Sequence, residues 1–238
     1  MADYKSLRYS RQRAIKDIGK AGQERICNGK VFIIGCGALG SMAAMELAGA
    51  GVGHIALADF DLIDESNLQR QFFFKDLEKG KNKAVILKER ICDLNPEVEV
   101  ICHTGVVTNS CIRDLIKGYN LLIDATDNPA TKLLVDSIGK NLALPVIIGG
   151  VTEFSGQVFT LFPDSIRYSD IFEVKIEEGG FLPCSAAGVW GPCAAICASL
   201  QASEGLKILS GLNTSVSGGI TFDLRENRFH NFLLPTNS

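Results

Sequence analysis

No two of the eight cysteines form a Cys-x-x-Cys pair, and no histidine or fourth thiol lies near Cys184, Cys193 and Cys197 in sequence. A metal held by those three thiols is therefore not expected. The cysteines are scattered through a long chain, and Cys36, Cys92, Cys193 and Cys197 stand in apolar or helical surroundings. Reduced, buried thiols are expected rather than a disulfide framework. No apolar run approaches the roughly 20 residues that cross a bilayer, and the charged N-terminus has no apolar stretch of a signal peptide. The expectation is a cytoplasmic protein with no membrane partner. Charge of one sign is also missing: the formal net charge is −3, which gives no basic patch for nucleic acid. The three histidines, His54, His103 and His230, show no arrangement that would serve hydride transfer. There are no repeats, low-complexity tracts or linkers. With 238 residues and a hydrophobic fraction of 46%, the chain has the material for one compact α/β domain with a full core.

What is present begins with an apolar run, Val31-Phe32-Ile33-Ile34, followed by Gly35-Cys36-Gly37-Ala38-Leu39-Gly40. That order predicts a strand, a tight turn and a helix, whose free first amides favour an anion. A second apolar run, Ile55-Ala56-Leu57-Ala58, ends in Asp59, at the spacing of a carboxylate that accepts from ribose hydroxyls. Beyond it, Asn67 and Arg70 lie three apart in a polar segment, with Lys81 and Lys83 after them. So much amide and cationic character suits a triphosphate better than the pyrophosphate of a dinucleotide. The alternative is that Arg70 and Lys83 are solvated surface charges.

Alternating strands and helices predict a doubly wound, Rossmann-like, mostly parallel sheet with an antiparallel C-terminal extension. Residues 4–26 read as an amphipathic helical segment, carrying Ile15, Ile18 and Ile26. A helix is predicted over 82–94, with Ala84, Leu87, Ile91 and Leu94 on one face, ended by Asn95-Pro96. Strands are predicted at 98–103 and 121–124. The latter ends in Asp124-Ala125-Thr126-Asp127. Ligands of an open parallel sheet bind outside the carboxyl ends of its strands, so Asp59 and Asp127 are expected to face one crevice. There Asp127 is placed to hold Mg²⁺; its alternative use is to cap the helix starting near Pro129. Asp124 is expected to be structural. Residues 157–162 alternate as a half-buried strand, and 218–234 offer two more with a turn at Glu226-Asn227. The chain divides into an arm (1–28), a nucleotide-binding core (29–150) and an extension with a crossover segment and a C-terminal helix (151–238).

These motifs, in this order, resemble the ThiF/MoeB/HesA adenylyltransferases, which activate ubiquitin-like sulfur-carrier proteins and are related to ubiquitin-activating enzymes. The matching residues are Arg8-Tyr9-Ser10-Arg11-Gln12, the glycine turn, Asp59-Phe60-Asp61, Ser66-Asn67-Leu68-Gln69-Arg70-Gln71, Gly80-x-x-Lys83, Asn95-Pro96, Asp124-Ala125-Thr126-Asp127-Asn128 and Cys184-Ser185-Ala186-Ala187-Gly188-Val189. The resemblance implies that ATP is held by Gly35, Gly37, Ala38, Leu39, Gly40, Asp59, Asp61, Asn67, Arg70, Gln71, Lys83, Asp127 and Asn128, with Mg²⁺ on Asp127. It also implies a homodimer in which Arg11 reaches the γ-phosphate in the other subunit. Cys184 matches a cysteine that some relatives use in acyl or persulfide transfer.

The chain departs from the family at two places. Where the first of two zinc-holding Cys-x-x-Cys pairs is usual, it has Arg167-Tyr168-Ser169-Asp170, and the sequence ends at Ser238 where the second would begin. No structural zinc is expected, and Arg167 and Asp170 have the spacing to pair with each other. Lys132 stands where arginine is usual, which retains charge but not bidentate geometry. The implied reaction is adenylation of a carboxylate, the C-terminal glycine of a sulfur-carrier protein. Alternatives are a small-molecule or peptide carboxylate, a nucleotide-binding oxidoreductase, and a catalytically silent partner-binding protein.

Overall fold

The computed structural model describes residues 7–171, 188–212 and 217–235. The chain enters through two short helices, α1 (Ser10–Arg13) and α2 (Gly19–Asn28), before strand β1 (Lys30–Ile34). The single amphipathic helix expected over 4–26 is thus broken. Gly19 takes φ of 54°, a left-handed conformation that a continuous helix does not permit. Tyr9 fixes this arm to its own domain: it is buried, and its hydroxyl accepts from Asn95 Nδ2 at 2.9 Å, which also donates to the Ala48 carbonyl at 2.8 Å. Gly51, at φ of 89°, leaves room for the Tyr9 ring.

Helix α3 (Ala38–Gly49), β2 (His54–Ala58), α4 (Lys83–Leu94), β3 (Glu99–His103), α5 (Ile112–Leu115), β4 (Leu121–Asp124), α6 (Pro129–Asn141) and β5 (Val146–Thr152) follow. Then come β6 (Ser155–Leu161), α7 (Tyr168–Ile171), α8 (Gly191–Ser210), β7 (Gly218–Asp223) and β8 (Arg228–Leu233). The eight strands among the described residues form one sheet in the order β3-β2-β1-β4-β5-β6-β7-β8. The first five are parallel and the last three antiparallel. The expected fold class is the one observed. Because β1 lies between β2 and β4, the crossovers leave it in opposite directions, which makes the carboxyl ends of β1 and β4 the switch point where ligands of such sheets bind.

The apolar runs of β1, β2 and β4 are buried on both faces, as a parallel sheet covered by helices requires. On one face α3 and α8 pack through small residues: Ala43, Ala44 and Ala48 against a helix carrying Cys193, Ala194, Cys197, Ala198 and Ala202. Such residues let two helices approach closely while covering the sheet. The other face is closed by α5 and α6 over Phe32, Leu122 and Ile148. Helix α8 ends at Gly211, whose φ of 73° supplies its left-handed stop. The turn expected at Glu226-Asn227 is present, with Asn227 at φ of 53°.

Three expectations need correction. Leu94, placed on the buried face of its helix, is 38% exposed, because the helix ends there. Cys92 is exposed, not buried. Arg167 pairs with the Asp170 side chain through its backbone and not through its guanidinium. Asp170 accepts the Arg167 backbone N–H at 2.9 Å, while the guanidinium Nε turns to Asp136 at 3.6 Å. Burial raises the Asp136 carboxyl, and the facing guanidinium opposes the rise. Tyr168 in the same tetrapeptide is buried against Phe159. Packing, a backbone cap and an ion pair therefore organise this segment.

Candidate functional site

The glycine turn is built by close approach. Gly35 has φ of 89°, and its N–H donates to the Ala58 carbonyl at 2.9 Å, tying the end of β1 to β2. A Cβ on Gly40 would overlap the Gly35 carbonyl oxygen, so the third glycine lets α3 start directly against the turn. Gly37 is the N-cap, and Ala38, Leu39 and Gly40 form the first helical turn. Their N–H groups have no partner inside the helix.

Asp59 braces this turn. One carboxylate oxygen accepts the Cys36 N–H at 2.6 Å, and the other accepts the Asp61 N–H at 2.8 Å. Each oxygen keeps a lone pair for a further donor. Burial pushes the Asp59 carboxyl up from the usual carboxylate range; the two backbone N–H groups and Lys83 pull the other way. Burial and the neighbouring Asp59 charge likewise hold Cys36 firmly as the thiol.

The polar segment after β2 folds as short turns. Asp64 caps a 3-10 turn at Glu65–Asn67 by accepting from Ser66 N, and Arg70 donates to the Ser66 carbonyl at 3.0 Å. Asn67 and Arg70 are partly exposed. Gln71 is buried beside Gly37, and its Oε1 has no hydrogen-bond partner among the described residues. The start of α8 lies behind this segment, since a Cβ on Gly191 would meet Arg70 Cβ at 3.7 Å. Lys83, at the start of α4, is not a solvated surface charge. It is buried and pairs with Asp61 at 2.9 Å, which ties Asp61 to the lysine. Lys81 is exposed.

At the end of β4 neighbouring polar residues divide the work. Asn128 caps α6, accepting from Ala130 N at 2.9 Å and Thr131 N at 3.4 Å, with Pro129 at the first turn. The cap is therefore Asn128 and not Asp127. The Asp127 carboxylate is exposed and has no hydrogen-bond or ion-pair partner among the described residues. Asp124 is completely buried and structural, as expected.

Lys132, which stands where arginine is usual in the family, is buried. Its Nζ is buried and donates to Asp124 Oδ2 at 2.6 Å, the Thr126 carbonyl at 2.7 Å and the Gly149 carbonyl at 2.6 Å. Gln201, a residue that sequence reasoning missed, donates from Nε2 to the Asp124 carbonyl at 2.8 Å. The available signal was an amide side chain in the middle of a helix of small and apolar residues. Arg11 is exposed on α1 without a partner among the described residues. Cys184 lies outside the described residues. Cys193 and Cys197 are buried, and the Cys197 S–H donates to the Gln157 carbonyl at 3.3 Å. Among the described residues no group of three or more His, Cys, Asp and Glu side chains is arranged to hold a metal, and no helix is long and apolar enough to cross a membrane.

The glycine turn braced by Asp59 lies against the segment after β4, since a Cβ on Gly35 would meet the Ala125 carbonyl oxygen at 2.9 Å and Thr126 Cγ2 at 3.1 Å. The ThiF family model matches residues 9–238. The chain belongs to the ThiF family. Over 98% of its length it is 34% identical to the sulfur carrier protein ThiS adenylyltransferase of Escherichia coli K12, of which it covers 93%. It is 36% identical to the probable adenylyltransferase/sulfurtransferase MoeZ of Mycobacterium tuberculosis, over 89% of this chain and 55% of MoeZ. It thus spans about half the length of that relative. Among solved structures, E. coli MccB with MccA-N7isoASN superposes with a TM-score of 0.83 at 21% identity, covering 99% of this chain and 73% of MccB. That likeness concerns the fold.

Proposed function

We propose that this ThiF-family chain adenylates a carboxylate with ATP, and that the carboxylate is the C-terminal glycine of a ubiquitin-like sulfur-carrier protein. The observation that carries the activity is the pairing of a glycine turn braced by Asp59 with an unpartnered Asp127 at the end of β4. The carrier protein is favoured by the printed names of relatives such as the E. coli ThiS adenylyltransferase.

In the reaction a substrate carboxylate oxygen attacks the α-phosphorus of ATP. A new O–P bond forms as the bond to the pyrophosphate oxygen breaks, giving an acyl-adenylate and pyrophosphate. A free carboxylate is a poor acyl donor because oxide is a poor leaving group; AMP is a good one. The protein's part is orientation and charge neutralisation. The amides of Ala38, Leu39 and Gly40 and the glycines at 35 and 37 cradle the phosphates, with Gln71 alongside. Asp59 accepts from the ribose hydroxyls. Asn67 and Arg70 hold the phosphate chain. Lys83 adds positive charge, with its position set by Asp61. Asn128 fixes the turn that presents Asp127.

Mg²⁺ commonly uses one or two carboxylates plus substrate phosphates rather than a protein cage. An exposed carboxylate without a protein partner suits that use. Asp127 is the residue that would hold the ion, which supplies neutralisation of phosphate charge when bound. Arg11, exposed and without a partner among the described residues, serves the γ-phosphate in a second subunit of a homodimer. The whole chain works as one adenylation unit, in the cytoplasm, where its seven described free cysteines stay reduced. A Cys184 thiolate acts on the acyl carbon after activation, with AMP as the leaving group. Calorimetric titration tests the nucleotide assignment. MgATP should bind and NAD should bind poorly; tight NAD binding without a response to ATP would contradict the proposal.

A further inference from the structure

The turn that carries Asp127 is held from behind by a cage that nucleotide chemistry does not itself require. Lys132 Nζ spends its three donors on Asp124 at the end of β4, on the carbonyl of Thr126 and on the carbonyl of Gly149 in β5. Thr126 is the residue directly before Asp127, so its carbonyl belongs to the peptide that leads into the exposed carboxylate. The Thr126 hydroxyl donates to the other Asp124 oxygen at 2.8 Å, closing the cage. Gln201 of α8 donates to the Asp124 carbonyl and packs against Gly149, where no Cβ would fit. One residue beyond Asp127, the Asn128 cap fixes the start of α6. Asp127 is thereby anchored on both sides while its own carboxylate stays free.

Resting on the adenylation reading above, we propose that Lys132 is a positioning residue that sets the Thr126–Asp127 peptide, and with it the aim of the Asp127 carboxylate at a nucleotide-bound divalent cation. Two observations separate this from a general stabilising pair. The lysine reaches backbone at two separate places, the turn just after β4 and Gly149 within β5, as well as a carboxylate. It also rises from α6, the helix whose N-terminus Asp127 precedes, so helix, strand and turn are locked in one geometry. Burial raises the Asp124 carboxyl and Lys132 opposes that rise, so the pair is best tested with both charges removed together.

The test compares the wild-type protein with the charge-neutral pair Lys132→Met/Asp124→Asn and with Lys132→Gln, which keeps a donor in the cage. Calorimetry measures AMP affinity without metal and the Mg²⁺ concentration that half-saturates ATP binding. The positioning role predicts AMP affinity within about twofold of wild type and a Mg²⁺ requirement raised about tenfold or more, the scale on which residues behind a metal-holding side chain act. An unchanged Mg²⁺ requirement in a folded variant overturns the inference and leaves the adenylation reading standing. Failure of the wild-type protein to bind MgATP removes that reading, and the inference with it. If neither variant melts cooperatively, Lys132 is a residue of the fold alone and the positioning role is withdrawn.

Discussion

Asp127 and Asn128 are adjacent and chemically alike, yet the backbone gives them different duties. Asn128 has extended dihedrals and spends its side-chain oxygen on the first amides of α6, whereas Asp127 is left free. Asn128→Ala should therefore cost about 1 kcal/mol of stability, the usual worth of an N-cap, as read in chemical denaturation. Asp127→Ala should leave stability within about 0.5 kcal/mol, as surface substitutions usually do, while ATP turnover collapses. Equal losses of stability in the two variants would contradict this division. Cys197 offers a second test. Burial pushes its thiol up to about 12. The unfolded chain releases that proton near pH 8.5, so above that pH the unfolded state binds fewer protons than the native one. Stability is therefore lost as pH rises from about 8.5 toward 12, with a limiting slope of about 1.4 kcal/mol per pH unit for this group. Cys197→Ala should flatten the curve of unfolding free energy measured between pH 8 and 10.5; an unchanged slope would remove Cys197 as its source.

Elements were more legible than contacts. The apolar runs of β1, β2 and β4, the glycine turn and the Asn82-capped α4 follow from local pattern, and the structure has them where the pattern puts them. The Asp136 partner of Arg167 and the reach of Lys132 to Gly149 were not legible, because each joins residues distant in sequence, whereas the arm breaks through a local left-handed conformation at Gly19 that the apolar pattern does not mark. At the site, the sequence pointed to Asp59, Arg70, Lys83 and Asp127. It did not reveal that Asp59 braces the glycine turn, or that Lys83 is committed to Asp61. The turn itself is unforgiving. Gly40→Ala places a Cβ inside the Gly35 carbonyl oxygen, so α3 must shift away from the phosphate cradle. MgATP affinity should fall by at least about tenfold, on the scale of 1–3 kcal/mol for overpacking, whereas Gly80→Ala, which meets nothing but a left-handed φ, should leave it near wild type. Isothermal titration separates the two. Equal affinities would show that the close approach is not needed.

For the molecule as a whole, the arm is pinned to its own domain through Tyr9 and Asn95, yet Arg11 just beyond Tyr9 is exposed. In a homodimer with shared sites, an Arg11→Ala chain and an Asp127→Ala chain spoil different halves of each site. Mixing equal amounts of the two inactive proteins should recover about one quarter of wild-type activity, since half the dimers are mixed and each mixed dimer has one intact site. No recovery would mean that Arg11 serves its own subunit or no site at all. The adenylation step itself is tested most directly by carboxylate-dependent exchange of labelled pyrophosphate into ATP, with a small protein ending in Gly-Gly as substrate. Wild-type protein and Cys184→Ala should both exchange, and Asp127→Ala should lose the reaction by about 10²-fold or more, the scale of a lost charge-stabilising group. Exchange that needs no carboxylate, or that survives intact in Asp127→Ala, would contradict the account.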